Sequence, residues 1–269
     1  MSPHAAHVIE LRNFSFRIGR KEILRDVSFG VRRGEYLTIV GPNGAGKTTL
    51  LKCIDRILPG GSGSIDVCGR PLASYRQKEL ARRISYVPQA DGRTFPFTVE
   101  QFVLMGRYPY LNPFSSIGRE DRQAVRDAME MTGTAAFADR LLGTLSGGER
   151  QQVYIAAALA QGAEVLLLDE PTTFLDYRHQ SEVRGLLARA NRDSGVTIVA
   201  VTHDVNQAAL ESDRIVALRE GSVVFSGPPA EIMKPDVLGR IYGTSFLLID
   251  HPSAGLPVIV PQVPTRSGS

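Results

Sequence analysis

The chain has 269 residues, 43% of them hydrophobic and 22% charged, which suits one large domain or a domain with an insertion and excludes a disordered chain. The formal net charge is only +3 and the basic residues are scattered, so nucleic acid is not an expected partner. Cys53 and Cys68 lack CxxC spacing and a neighbouring histidine pair, which argues against a cysteine metal site and for reduced cytosolic thiols.

In chain order, HVIELRNFSFRI, ILRDVSFGV and YLTIV read as strands, separated by turn signals at IGRK and RRGE. YLTIV is short, rich in β-branched residues and followed by a glycine, which predicts a buried central strand. A glycine-rich loop comes next, then TTLLKCIDRIL with helical spacing, stopped by PGGSGS. SIDVCG and RISYVPQ are further short strands, with a helix between them across SYRQKELAR. From about residue 90 to 160 the strand pattern disappears, and REDRQAVRDAMEM places Ala124, Val125, Ala128 and Met129 on one stripe. This predicts a helical subdomain inserted into an α/β body. Strand and helix then alternate through EVLLLDE, a helix from His179 to Arg192, VTIVAVTH, a helix after Asp204, DRIVALRE and SVVFSG. Such alternation predicts a parallel sheet with helices on its faces. The ending HPSAGLPVIVPQVPTRSGS is rich in Pro, Gly and Ser, so residues 251–269 are expected to trail along the surface of a domain spanning 1–250.

The N-terminal MSPHAAHVIELRN has no basic stretch leading into an apolar run and no small-residue cleavage site. No segment approaches the ~18 apolar residues needed to span a bilayer, so a soluble protein with at most a peripheral membrane role is expected.

GPNGAGKTT comprises Gly41, Pro42, Asn43, Gly44, Ala45, Gly46, Lys47, Thr48 and Thr49, between a strand and a helix, the context that P-loop chemistry requires. The glycines let backbone N–H groups approach phosphate oxygens, and the helix N-terminus adds positive potential. Lys47 can reach the β- and γ-phosphates of a nucleoside triphosphate, and the Thr48 hydroxyl can ligate Mg²⁺.

VLLLDE is an apolar strand ending in two carboxylates, and ligands of open α/β sheets sit at the carboxyl ends of strands. Asp169 there supports Mg²⁺ through its water shell, and Glu170 is placed to orient and deprotonate a water aimed at the γ-phosphate. His203 ends another apolar strand and Gln89 ends RISYVPQ, so both are aimed at the same crevice. From position alone, each is either a structural residue or a contact to the γ-phosphate, Mg²⁺ or the attacking water.

LSGGERQQVYIAAALAQ starts a second helix after a second glycine pair. Ser146 and Glu149 have capping-box spacing, so a well-capped helix accounts for the segment on its own. Alternatively, Ser146, Gly147 and Gly148 offer a hydroxyl and free N–H groups to an anion, remote from the first loop. A phosphate site that cannot reach its own nucleotide can serve a neighbouring subunit across a two-fold axis, making dimer closure depend on the γ-phosphate.

These segments together resemble the ATP-binding cassette (ABC) ATPase family. Walker A (41–48), the Gln89 loop, the LSGGE signature (145–149), Walker B (165–170), the D-loop Leu175–Asp176 and the switch His203 occur in the family's order. The fold expected is α/β: a P-loop NTPase core with an N-terminal antiparallel β subdomain and an inserted α-helical subdomain. The resemblance implies that Gln89 and His203 serve at the γ-phosphate, that Gln89 joins Thr48 and Asp169 around Mg²⁺, and that Glu149 and Asp176 lie with the signature against the partner's ATP in a head-to-tail homodimer.

FPFTVEQFVLMGRYPY (95–110), EPTTFLDYRHQ (170–180) and GTSFLLIDHP…LPVIVP are similar to ATPase subunits of importers for ferric siderophores, haem and cobalamin. That branch implies a multi-spanning permease docked around Gly106, Arg107 and Tyr108, an indirect substrate-binding protein, and a place on the cytoplasmic face of the cell membrane. Soluble ABC ATPases acting on DNA or ribosomes, and exporter cassettes, are the alternatives. The first usually carry coiled-coil insertions or paired cassettes, and the second are often fused to membrane spans. Two positions depart from the family: Ile18 stands where an aromatic residue usually stacks on adenine, with Phe16 as a nearby substitute, and Ala157 replaces a common arginine after the signature.

Overall fold

The computed structural model describes residues 7–89, 95–111 and 116–261. The first residues of the expected helical subdomain (90–94) and the end of the expected tail (262–269) lie outside the described residues.

β1 (His7–Ile18) and β2 (Lys21–Arg32) form a long antiparallel ladder across the Gly19–Arg20 turn. β3 (Tyr36–Val40), buried along its whole length, leaves this ladder for the centre of a second sheet, and α1 (Lys47–Ile54) follows across the phosphate loop. The chain returns through β4 (Ser62–Val67) and β5 (Arg70–Pro71), completing an antiparallel sheet of order β2-β1-β4-β5. α2 (Gln77–Ala81) then leads to β6 (Ile84–Val87).

α3 (Val99–Met105), α4 (Arg119–Thr132) and α5 (Gly147–Ala160) pack around their own small core of Val99, Val103, Val125, Met129, Leu142 and Val153. On α4, Val125, Ala128 and Met129 are buried and Ala124 is half-buried, the stripe that the spacing predicts.

β7 (Val165–Asp169), α6 (Tyr177–Arg192), β8 (Thr197–Val201), α7 (Val205–Glu211), β9 (Arg214–Arg219) and β10 (Ser222–Gly227) complete a six-stranded sheet of order β10-β9-β3-β8-β7-β6. The five strands from β9 to β6 are parallel, as the alternation predicts. β10 is an antiparallel edge strand because Glu220 and Gly221, at φ 50° and 83°, make the tight hairpin turn that right-twisted strands favour. Alternate strand residues bury on opposite faces. Leu167 and Val199 face the antiparallel sheet and α1, while Leu166, Leu168, Ile198 and Ala200 face α5 and α6.

α8 (Pro229–Ile232) and α9 (Pro235–Tyr242) lead to β11 (Leu247–Asp250) and β12 (Pro257–Val260). Here the structure corrects the expected trailing tail. The boundary at 250/251 falls inside a hairpin whose register runs from Leu247↔Val260 to Asp250↔Pro257. α6 also starts two residues earlier than expected, because the Asp176 carboxylate caps it by accepting the His179 N–H at 2.9 Å.

Candidate active site

The phosphate loop is held by close backbone contact with its neighbours. Gly41 has φ 143°, and a Cβ there would lie 2.0 Å from the Leu218 carbonyl oxygen on β9, so only glycine passes. Gly46 has φ 99° and would place a Cβ 2.9 Å from Leu24. No side chain caps α1, which leaves its first N–H groups for an anion. Asn43 and Gly44 are exposed, Pro42 and Thr49 half-buried, and Ala45 buried with its N–H bonded to Pro42 O at 3.2 Å. The Lys47 ammonium is held at the loop by Gly41 O at 2.8 Å and Pro42 O at 3.0 Å. Burial lowers its pKa, and the Glu170 and Asp169 carboxylates push the other way.

The parallel register brings the remaining groups to the same sheet edge. The Thr48 hydroxyl donates to Asp169 Oδ1 at 2.8 Å, and Asp169, only 2% exposed, accepts at Oδ2 from the Tyr86 hydroxyl at 3.0 Å. Glu170 follows with φ 50°, a left-handed conformation that costs a non-glycine residue ~1 kcal/mol or more and is typical of functional positions. Its N–H bonds Val201 O at 3.0 Å. Three side chains from separate segments meet at its Oε2: Gln89 Nε2 at 3.2 Å, the Thr173 hydroxyl at 2.8 Å and His203 Nδ1 at 3.4 Å. Asn43, Gln89, Glu170, Thr172 and His203 line one cleft of about 600 Å³.

Thr48 and Asp169 fit a hard divalent cation, since a hydroxyl and a single buried carboxylate are the protein share of a Mg²⁺ site completed by phosphates and water. The Gln89 amide nitrogen is committed to Glu170, so its oxygen is the atom suited to the cation.

Ser146, Gly147, Gly148, Glu149 and Asp176 do not line this cleft. They gather where α5 meets α6. The Ser146 hydroxyl accepts the Glu149 N–H at 3.2 Å and the Glu149 carboxylate accepts the Ser146 N–H at 2.7 Å, the reciprocal capping box. The Ser146 N–H and then Arg140 hold Glu149 below the usual carboxylate range. Asp176 is likewise lowered, first by the His179 N–H.

The ABC transporter family profile matches residues 24–173. The chain belongs to the ABC transporter family. It is 41% identical over 243 residues to the ferric enterobactin transport ATP-binding protein FepC of Escherichia coli (strain K12), covering 90% of each chain. It is 39% identical over 260 residues to the hemin import ATP-binding protein HmuV of Rhodococcus jostii (strain RHA1), covering 97% of this chain and 88% of that one. Its fold matches, at a TM-score of 0.83 and 27% identity, an ABC transporter assigned to the metal-chelate type in an inward-facing conformation, covering 96% of this chain and 99% of that one. As an ABC ATPase it binds ATP and hydrolyses it to power transport. Importer subunits of this kind work with a membrane permease, and solved ABC cassettes form dimers. Among the described residues, no helix is long and apolar enough to cross a membrane.

Two expectations about this ABC ATPase need correction. Phe16 cannot substitute for an adenine-stacking residue, because it is buried in the core beneath the antiparallel sheet, whereas Ile18 is 54% exposed. Arg107 is not a docking residue. It is 8% exposed, pairs with Asp121 at 3.0 Å, donates to Ala160 O at 2.8 Å and stacks 3.8 Å over the Tyr110 ring. Gly106 is half-buried and packed tightly on α5, since a Cβ there would meet the Ala157 carbonyl at 2.2 Å, while Tyr108, 57% exposed, faces outward. An apolar groove of about 370 Å³ opens beside Gly106, lined by Tyr86, Gln89, Phe95, Phe102 and Ala157.

Tyr86 and Thr173 are contacts that sequence reading missed. Tyr86 had a usable signal, a hydroxylated aromatic three residues before Gln89 on the strand beside Asp169. Thr173, in a run of two threonines, carried none.

Proposed function

We propose that this ABC ATPase powers import of a metal chelate, such as a ferric siderophore, haem or cobalamin, through a multi-spanning permease on the cytoplasmic face of the cell membrane. A substrate-binding protein on the far side delivers the cargo. Identity of 41% across nine-tenths of both chains with a ferric enterobactin subunit supports the cargo class. The relatives reported above are importer subunits, which favours this reading over one on DNA, ribosomes or export. The groove beside Gly106, with exposed Tyr108 nearby, suits a permease helix laid against both the sheet core and the helical subdomain.

The hydrolytic role rests on one observation, the convergence of Gln89, Thr173 and His203 on Glu170 at the mouth of the phosphate loop. Residues 41–49 grip the phosphates through backbone N–H groups, and Lys47 adds positive charge. Glu170 orients the attacking water and takes its proton, while Gln89 and His203 fix the Glu170 carboxylate and report the γ-phosphate. Mg²⁺, held by Thr48, Asp169 and Gln89, supplies charge neutralisation on the phosphates when bound. Ser146, Gly147, Gly148, Glu149 and Asp176, remote from their own cleft, act on the ATP of a second copy in a head-to-tail homodimer. The catalytic domain extends past the expected 1–250 to include the β11–β12 hairpin, with the helical subdomain at about 90–160.

The test is a pull-down. The tagged Glu170→Gln variant is incubated with ATP and membranes solubilised in mild detergent, and co-purifying proteins are identified by mass spectrometry. A multi-spanning permease is the expected partner; recovery of only soluble proteins or nucleic acid would overturn the importer assignment while leaving the ATPase intact.

A further inference from the structure

Asn206 lies three residues beyond His203, in the first turn of α7. Its side-chain amide bonds the main chain of Ile259 in both directions. Nδ2 donates to Ile259 O at 2.9 Å, and the Ile259 N–H donates to Oδ1 at 2.7 Å. Ile259 stands opposite Leu248 in the β11–β12 register, and both its polar groups turn away from that ladder toward α7. A side-chain amide therefore occupies the outer edge of β12 where a third strand would otherwise pair. Leu248 and Ile259 pack on the same core as Val205, Ala208 and Leu238, while Leu247 and Ile249 face outward.

A second contact comes from the same part of the chain. Tyr242, the last residue of α9, packs edge-on against Phe246 with ring centroids 5.6 Å apart. Its phenol is buried against the Gly41 backbone and close to Asp204, whose carboxylate caps α7 by accepting the Gln207 N–H at 3.0 Å. Tyr242 thus lies beside the start of the phosphate loop, while Ile259 is bonded to the first turn of α7, the helix that follows His203.

We propose that the C-terminal hairpin is a positioning element of the ATPase site, with Asn206 as the positioning residue. By tying α7 to β12 it sets the height and rotation of the first α7 turn, and with it the reach of His203 toward Glu170. The inference rests on His203 being the γ-phosphate contact, and it extends the site to a segment beyond every phosphate motif.

The test uses the full-length chain. Asn206→Ala removes both bonds without disturbing the β11–β12 ladder, and is expected to lower kcat by ~10-fold with the KM for ATP unchanged, since substrate grip is untouched and only positioning is lost. The chain has five histidines, so the His203 ring resonance can be followed by NMR; it should shift or broaden in this variant. Asn206→Asp keeps the acceptor for the Ile259 N–H and should recover part of the loss. Ile259→Pro deletes that N–H from the other side, and combined with Asn206→Ala it should lower kcat no further than Asn206→Ala alone, because for turnover both break one contact, whereas the lost Ile259 packing registers in the melting temperature. The proposal is overturned if Asn206→Ala lowers the melting temperature but leaves kcat and the His203 resonance unchanged, or if the effects of the two substitutions on kcat add. If His203→Ala itself leaves turnover intact, the role of His203 falls first, and the proposal with it.

Discussion

The His179 imidazole lies directly against Gly148: a Cβ at residue 148 would stand 2.2 Å from His179 Cδ2. The same ring is 2.8 Å from the Asp176 carboxylate through Nδ1. The signature helix and the D-loop residue therefore share one imidazole as a spacer. Gly148→Ala should push the ring away from Asp176 and misplace the surface offered to a second copy. ATP binding to the monomer is expected to survive, while ATP-driven dimers of the Glu170→Gln form should disappear in sedimentation analysis. An undiminished dimer would show that the ring yields and the spacing is unimportant.

Replacing Glu170 by glutamine keeps the shape of the side chain and its place beside Gln89, Thr173 and His203, but removes the base. Turnover should fall by ~10²–10⁴-fold, the usual contribution of a general base, with ATP still bound and dimers accumulating. Phosphate release at the unsubstituted rate would refute the base assignment.

How much of this site was legible depended on how local each piece is. The phosphate loop is contiguous, so its glycines and Lys47 declare themselves in nine residues. Asp169 and Glu170 were readable because an apolar strand leads straight into them. The bond from Tyr86 to Asp169 was not, because it arises from the β6–β7 register, which pairs Tyr86 with Leu167 and joins segments about eighty residues apart. Arg107 misled for a related reason: a motif marks a segment, but not which of its side chains turns inward. The C-terminal hairpin was masked by composition, since Pro, Gly and Ser around four-residue strands hide a period-two pattern that needs more length to stand out.

The Tyr86 hydroxyl holds the Asp169 oxygen that Thr48 does not, so Tyr86→Phe should loosen the carboxylate while keeping the ring that lines the groove. Loss of one hydrogen bond to a charged group weakens a site by ~10-fold, and the expected effect is a rise of that size in the Mg²⁺ concentration for half-maximal turnover. Mn²⁺ affinity measured by electron paramagnetic resonance should weaken in parallel. Equal Mn²⁺ binding in both proteins would mean that Asp169 is held without Tyr86.

Arg107 and Tyr108 should separate stability from docking. Arg107→Ala leaves Asp121 with only the Gly118 N–H, strips the Ala160 carbonyl of a donor and removes the stack on Tyr110, a loss of roughly 3 kcal/mol in denaturant unfolding. Tyr108→Ala changes an exposed ring and should move stability by no more than ~0.5 kcal/mol while reducing permease recovery in the pull-down. If permease recovery follows Arg107 and not Tyr108 among variants that remain folded, the exposed ring is not part of the docking surface.

Glu211, at the end of α7, should make stability depend on pH. Burial pushes its carboxyl from an ordinary 4.5 up to about 7, against the opposing pull of Gln207, which donates to it at 3.3 Å, and of Arg184 at 3.6 Å. Asp55 at the end of α1 is displaced the same way, from 3.8 to about 7, by burial. Between those values the folded chain binds more protons than the unfolded chain, so stability is greatest below about pH 4.5 for this pair and declines as pH rises toward 7. A displacement of Glu211 from 4.5 to about 7 corresponds to roughly 3 kcal/mol lost across that window. Glu211→Gln keeps a neutral hydrogen-bonding group there and should leave stability at pH 5 nearly unchanged while raising it at pH 8. The pH dependence that remains would belong to Asp55, and Asp55→Asn in the same background should flatten it further. Urea unfolding at pH 5, 6.5 and 8 is the measurement; parallel curves for the unsubstituted chain and Glu211→Gln would mean that Glu211 is ionised in the folded protein throughout, with Arg184 as its working partner.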